Sequence, residues 1–156
     1  MINDQVPLDA DASECLIVGQ TAQFTITDGG GFLLLPFDTV IRPSTVANLA
    51  GGAVTISRSG LYNLDATCLF ISLPALVNGG EGTRRLQVLV NGATVLTSDN
   101  RAISGATQGM TCSQFIALNA GDIVRCQVSS AVGAIGQTTG GLGFNPILTS
   151  LGVALL

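Results

Sequence analysis

Four cysteines, ten acidic residues and six arginines carry nearly all the reactive chemistry of this 156-residue chain, which holds no histidine and no lysine. Without histidine, the commonest general acid–base group is missing, and neither a Ser-His-Asp nor a Cys-His arrangement can be built. Without lysine, there is no Schiff base and no Ser-Lys dyad. Paired carboxylates, as in a glycosidase, are the remaining route. Beyond the N-terminal segment the acids are Asp28, Asp38, Asp65, Glu81, Asp99 and Asp122. All but Asp38 and Asp65 fall on or beside turn sequences. Asp65 shares a strand face with Thr67 but has no acid partner in view. The "GGLGF" run at 140–144 is not a phosphate loop, because no lysine follows it and no strand-to-helix context surrounds it. The chain therefore reads as non-enzymatic, with no catalytic residues and no cofactor.

The thiols are Cys15, Cys68, Cys112 and Cys126. No CxxC occurs and no histidine completes a zinc set, so no metal is expected. Cys68, Cys112 and Cys126 each sit on the apolar phase of an alternating stretch. They read as buried free thiols acting as small hydrophobes. A Cys112–Cys126 bridge stays open, since spacing alone cannot decide it.

The elements that would hold these residues are strands. No stretch of twelve residues keeps apolar side chains at helical spacing, whereas short alternating runs punctuated by Gly, Asn and Asp recur throughout. Strands are expected at 21–27, 32–41, 53–58, 61–71, 84–90, 93–98, 110–118, 122–129 and 146–156. Asn91-Gly92 marks a tight hairpin, and "LNAGD" at 118–122 marks another turn. Loops are expected near 74–83, 99–109 and 130–145. Arg84 and Arg85 open a strand, either as solvated edge charge or as a salt link to a neighbouring acid. Many short strands with regular turns predict an all-β sandwich or barrel.

The clearest strand is "SRSGLYNLDATCLF", 57–70. Tyr62, Leu64, Ala66, Cys68 and Phe70 share one face, which is a core face. Leu61, Asn63, Asp65, Thr67 and Leu69 share the other, which is neither plainly core nor plainly solvent.

Only 10% of residues are charged, against about 25% in an ordinary soluble domain, and mean hydropathy is +0.54. Either copies of the chain or a partner cover much of the surface, or the surface is neutral and polar. Asp4, Asp9, Asp11 and Glu14 lie in the first 14 residues with no basic side chain among them. The rest has six acids and six arginines, so no basic footprint for nucleic acid exists. The start lacks a positive region and an apolar stretch typical of a secretory signal. No run approaches 18 apolar residues, so no membrane partner is expected. Residues 1–20 read either as a loose terminus or as an arm that orders on a neighbour through Ile2, Val6 and Leu8. Residues 21–156 read as the folded domain.

Three blocks bring a family into view. "FDTVIRPST…GGAVTISRSGLYNLDATCLF" resembles the second quarter of complement globular-head and tumour-necrosis-factor-like domains. "FIALNAGDIVRCQV" resembles their late hairpin, and "SLGVALL" resembles their closing strand. The blocks keep the family's order over about residues 32–156. The chain carries fewer aromatics than those families usually do. Its Asp28, Asp99 and Asp122 are isolated, so the calcium site of complement-type heads is not expected.

The resemblance implies a double-sheet jelly roll of about 8–10 antiparallel strands that forms a homotrimer. It places the 61–71 strand in the sheet that meets the other subunits. Candidate interface residues are then Leu61, Asn63, Asp65, Thr67 and Leu69, with Leu151 and Val153 from the closing strand. An Arg or hydroxyl donor is expected beside Asp65, because a buried lone carboxylate is costly. By similarity to small, β-rich, trimeric phage decoration proteins, the chain is expected to be a capsid decoration, or cement, protein. Its partners would be itself and a major capsid protein; synthesised in the host cytoplasm, it would sit on the outer capsid surface of the virion. Ile2, Val6 and Leu8 would grip the shell. The alternative is a receptor- or glycan-binding head of a fibre or adhesin, reading through Gly-rich loops.

Overall fold

The computed structural model describes residues 14–21, 24–26, 31–71, 82–102, 108–131, 137–139 and 149–156. Among these residues the secondary structure is all β, in two antiparallel sheets, as expected from the alternation.

The first sheet is built on β7 (Gly60–Ile71). On one side β7 pairs with β10 (Gln108–Leu118) from Gly60 to Phe70. On the other it pairs with the closing strand β13 (Ser150–Leu155). Beyond β13 lie β1 (Cys15–Gly19) and then β4 (Thr39–Arg42). β12 (Gln137–Thr139) joins the far end of β7 and carries β2 (Phe24–Ile26). The second sheet runs β5 (Ala47–Ala50), β6 (Ala53–Ile56), β11 (Ile123–Ala131), β8 (Gly82–Val90), β9 (Ala93–Ala102). The short β3 (Leu33–Leu34) pairs with β11. The closing strand therefore lies between the first strand and β7. That order of non-consecutive neighbours makes the jelly roll.

The core lies between the sheets. Tyr62, Leu64, Ala66, Cys68 and Phe70 of β7 face Leu86 and Val88 of β8 and Val124, Cys126 and Val128 of β11, all at most 1% exposed. Burying each large apolar side chain contributes roughly 1.5–3 kcal/mol. Tyr62 keeps its polar end satisfied by donating its hydroxyl to the Arg58 carbonyl. Gly60 opens β7 where the chain passes under Leu155. A Cβ there would press on the tip of the Leu155 side chain, a flexible group that would have to shift.

Asn91-Gly92 turns β8 into β9 with φ of 51° and 83°, the hairpin read from sequence. The 118–122 turn is also present, and Asp122 closes it. Its carboxylate accepts the Asn119 backbone N–H and the Asn91 side-chain amide, which hold the carboxyl below the usual carboxylate range.

Several expectations need correction. Residues 15–19, placed in the arm, form an inner strand, because Leu16 and Val18 alternate into the core at 1% and 0% exposure. The remainder of the arm, with Ile2, Val6 and Leu8, lies outside the described residues, as do parts of the three expected loops. Strand takes in residues expected as loop at the edges of two of them, since β8 begins at Gly82, β9 runs to Ala102 and β10 begins at Gln108. The strand expected at 32–41 is two short ones, β3 and β4, separated by a segment containing Pro36. β5 and β12 were not expected. β5 turns into β6 through Gly51 and Gly52, both at positive φ (57° and 75°), a backbone that glycine adopts without strain.

Arg84 is not edge charge. It lies on the core phase of β8 and is fully buried. Its guanidinium stacks 5.3 Å over the Phe70 ring and donates to Gln108 Oε1 at 3.2 Å. Desolvation draws its pKa below the ordinary value. Arg85, one residue on, faces solvent and pairs with Asp99 of the same chain at 2.7 Å.

All four thiols are free. Cys68 and Cys126 are buried at 0% and 1% exposure, and Cys15 and Cys112 are half-buried. Burial pushes Cys68 up to about 12 and Cys126 well above its ordinary value. Burial, followed by the charge of Asp65, pushes Cys112 up to about 11. Among the described residues, no three of His, Cys, Asp or Glu gather as a metal site.

Candidate functional site: the open face of the first sheet

The pleat of β7 gives the site its floor. Because side chains alternate across a strand, burying the even-numbered residues turns Leu61, Asn63, Asp65, Thr67 and Leu69 outward. Register then recruits neighbours to the same face. On β10, Ala117 lies opposite Leu61, Phe115 opposite Asn63, Ser113 opposite Asp65 and Thr111 opposite Thr67. On β13, Ala154 lies opposite Asn63 and Gly152 opposite Asp65. Leu156 donates its backbone N–H to the Leu61 carbonyl at 2.9 Å, which holds the two residues side by side.

The face divides along its length. At one end it is apolar, with Leu61 49% exposed, Phe115 64% and Leu156 66%. Large hydrophobic groups at that exposure, side by side on one sheet, form a patch of the kind that marks interaction surfaces. In the middle it is small and polar. Ser113 donates its hydroxyl to Asn63 Oδ1 at 3.0 Å. Beside that pair stands Asp65, which is exposed. Among the described residues, no hydrogen bond or salt bridge reaches its carboxylate, so the expected donor is not among them. Its exposure lets water solvate the carboxylate.

Two expected interface residues belong elsewhere. Leu151 lies opposite Ala66 and Val153 opposite Leu64. Both share the core phase and are 0% exposed, so they cannot meet another molecule. Gly152, Ala154 and Leu156 carry the outward phase of that strand instead. Phe115, the most exposed aromatic of the face, was missed. The signal was available: it has the same parity as Ala117 in "FIALNAGD", and antiparallel pairing with β7 sets that parity beside Leu61 and Asn63.

The open face of the second sheet is built differently. Arg85 Nε donates to Asp99 at 2.7 Å. Gln127 Nε2 donates to Gln87 Oε1 at 2.7 Å, and Gln87 Nε2 donates to Thr97 Oγ1 at 3.2 Å. These residues pair their polar groups across three adjacent strands.

No protein-family model and no curated protein matches the chain. Solved structures do. Eiger TNF from S. frugiperda superposes with a TM-score of 0.63 at 11% identity, over 91% of both chains. Murine APRIL superposes with TM-scores of 0.59 (pH 8.5) and 0.63 (pH 5.0), at 17% and 16% identity, over 91% of this chain and 98% of that one. At such identities the similarity lies in the fold alone: the chain shares the jelly roll of these structures.

Proposed function

We propose that this chain is a non-enzymatic structural protein that assembles through the open face of its first sheet into a closed homotrimer and decorates the outer surface of a phage capsid. The observation that carries the assembly is the unpartnered patch of Leu61, Phe115 and Leu156 beside Asn63, Asp65 and Thr67. Aromatic and aliphatic groups at the centre with polar groups around them are the composition of a protein–protein contact. A three-fold ring uses two different flanks of each subunit. That arrangement leaves Asp65 to find its donor on a neighbour. Assembly also accounts for a chain with only 10% charged residues.

The decoration role rests on analogy. A closed trimer shares the symmetry of the local three-fold positions of an icosahedral shell. In this reading the partner is a major capsid protein, and Ile2, Val6 and Leu8 reach into it. The test is co-sedimentation of the purified protein with expanded capsid shells, for the full chain and for a chain lacking residues 1–13. The reading expects saturable binding that the truncation weakens. Failure of the full chain to bind shells, together with binding to cells or glycans, would replace decoration with a recognition head.

A further inference from the structure

The open face of the second sheet changes character at one end. Past the Arg85–Asp99 and Gln87–Gln127 pairs, Leu89 and Arg125 lie opposite each other on β8 and β11. With Leu34 and Ile123, exposed at 48% and 41%, they wall a groove of about 450 Å³ that the Asn91-Gly92 turn closes. That volume is in the range of natural binding clefts. The Asn91 side chain is committed, since it donates to Asp122 at 2.8 Å and accepts the Ile123 N–H at 2.9 Å. Arg125 makes no hydrogen bond or ion pair with any described residue. The groove thus presents apolar walls and one available guanidinium. Its occupant needs apolar side chains and a carboxylate.

The chain holds a segment of that chemistry. Residues 1–13 carry Ile2, Val6 and Leu8 interleaved with Asp4, Asp9 and Asp11, and no basic side chain. They enter the described structure at the groove's end of the sandwich. Glu14 pairs with Arg58. Next to Arg58, Ser59 Oγ accepts the Ala120 N–H at 2.9 Å. In the same turn Asp122 holds Asn91, at the rim of the groove. Thirteen extended residues span up to roughly 43 Å, several times the roughly 10 Å between packed sheets.

We infer that residues 1–13 seat in this groove of their own subunit, with an aspartate on Arg125 and Val6 or Leu8 against Leu34, Leu89 and Ile123. The inference concerns the free protein and does not rest on capsid binding.

The test is photo-crosslinking of the full chain carrying a benzophenone amino acid in place of Val6, in a mixture of heavy- and light-isotope chains read by mass spectrometry. Seating predicts crosslinks to residues 34, 89–92 and 123–125 within one chain. It also predicts that Arg125→Glu, or Asp4→Asn, Asp9→Asn and Asp11→Asn together, lowers their yield about fivefold, as loss of a surface charge pair implies. A circular-dichroism spectrum unchanged by either variant shows that the fold is retained. Crosslinks scattered over the surface, crosslinks joining heavy to light chains in the groove, or yields unmoved by both variants would overturn the inference.

Discussion

The two sheets of this sandwich share a core but differ on their outward faces. On the second sheet, Arg85–Asp99 and the Gln127–Gln87–Thr97 run pair polar groups with one another across three strands. On the first, Leu61, Phe115 and Leu156 stand exposed, and among the described residues no hydrogen bond or salt bridge reaches the Asp65 carboxylate. A face that satisfies its own polar groups has little to gain from a neighbour. A face of bare apolar groups gains by burial. On the proposed reading, the first sheet is the side for contact and the second, outside its groove, the side for water.

The sharpest way to probe that comparison is to cut the two sides of one strand. Leu64, 1% exposed, and Leu61, 49% exposed, are three residues apart on β7. Leu64→Ala leaves a cavity in the core and should lower folding stability by about 2–5 kcal/mol in chemical denaturation. Leu61→Ala should leave the stability of the isolated subunit within about 0.5 kcal/mol and weaken association instead. Equal stability losses from the two would erase the distinction between the faces.

The buried thiols set the next effect. The pKa of Cys68 is raised from 9.0 to about 12 in the folded chain. Its stabilising contribution is complete below the unfolded-state pKa and is lost as pH rises toward the folded one. Between pH 9 and 12 stability should fall by about 1.4 kcal/mol per pH unit for this thiol. Cys68→Ala, compared with the parent by urea denaturation at pH 8 and pH 10.5, should remove that part of the slope. An unchanged slope would place Cys68 outside the core. Below pH 8, Cys68 and Cys126 should resist thiol reagents, while Cys15 reacts first.

The smallest effect belongs to the second sheet. Arg85 and Asp99 are each about half exposed, so removing their pair by Arg85→Ala should cost less than about 1 kcal/mol. It should leave association unchanged. A change in assembly from this substitution would move the contact surface to the wrong sheet.

Much of this was legible in the residues, and the exceptions have reasons. The β7 face was readable because its two phases differ in chemistry. The closing strand was not: Leu151, Val153 and Leu155 alternate with Gly152, Ala154 and Leu156, and both phases are apolar. Only the register against β7 shows that Leu151 and Val153 point inward. Phe115 needed the same register. β1 was hidden because "CLIVG" is short, continuously apolar and follows an acidic stretch, so it shows neither alternation nor a start signal. Arg84 was unreadable because its place on a core phase depends on an aromatic ring and an amide from distant strands, Phe70 and Gln108.

The central claim is that the first sheet's open face joins copies of this chain. Sedimentation equilibrium of the full protein at micromolar concentration tests it most directly, beside Phe115→Glu on the contact face and Thr97→Glu on the other. A mass three times 15.8 kDa is expected for the parent and for Thr97→Glu. At least about 30-fold weaker association is expected for Phe115→Glu, the effect of losing one central anchor. A parent that sediments as a single subunit, or a Phe115→Glu variant that assembles as tightly as the parent, would contradict it.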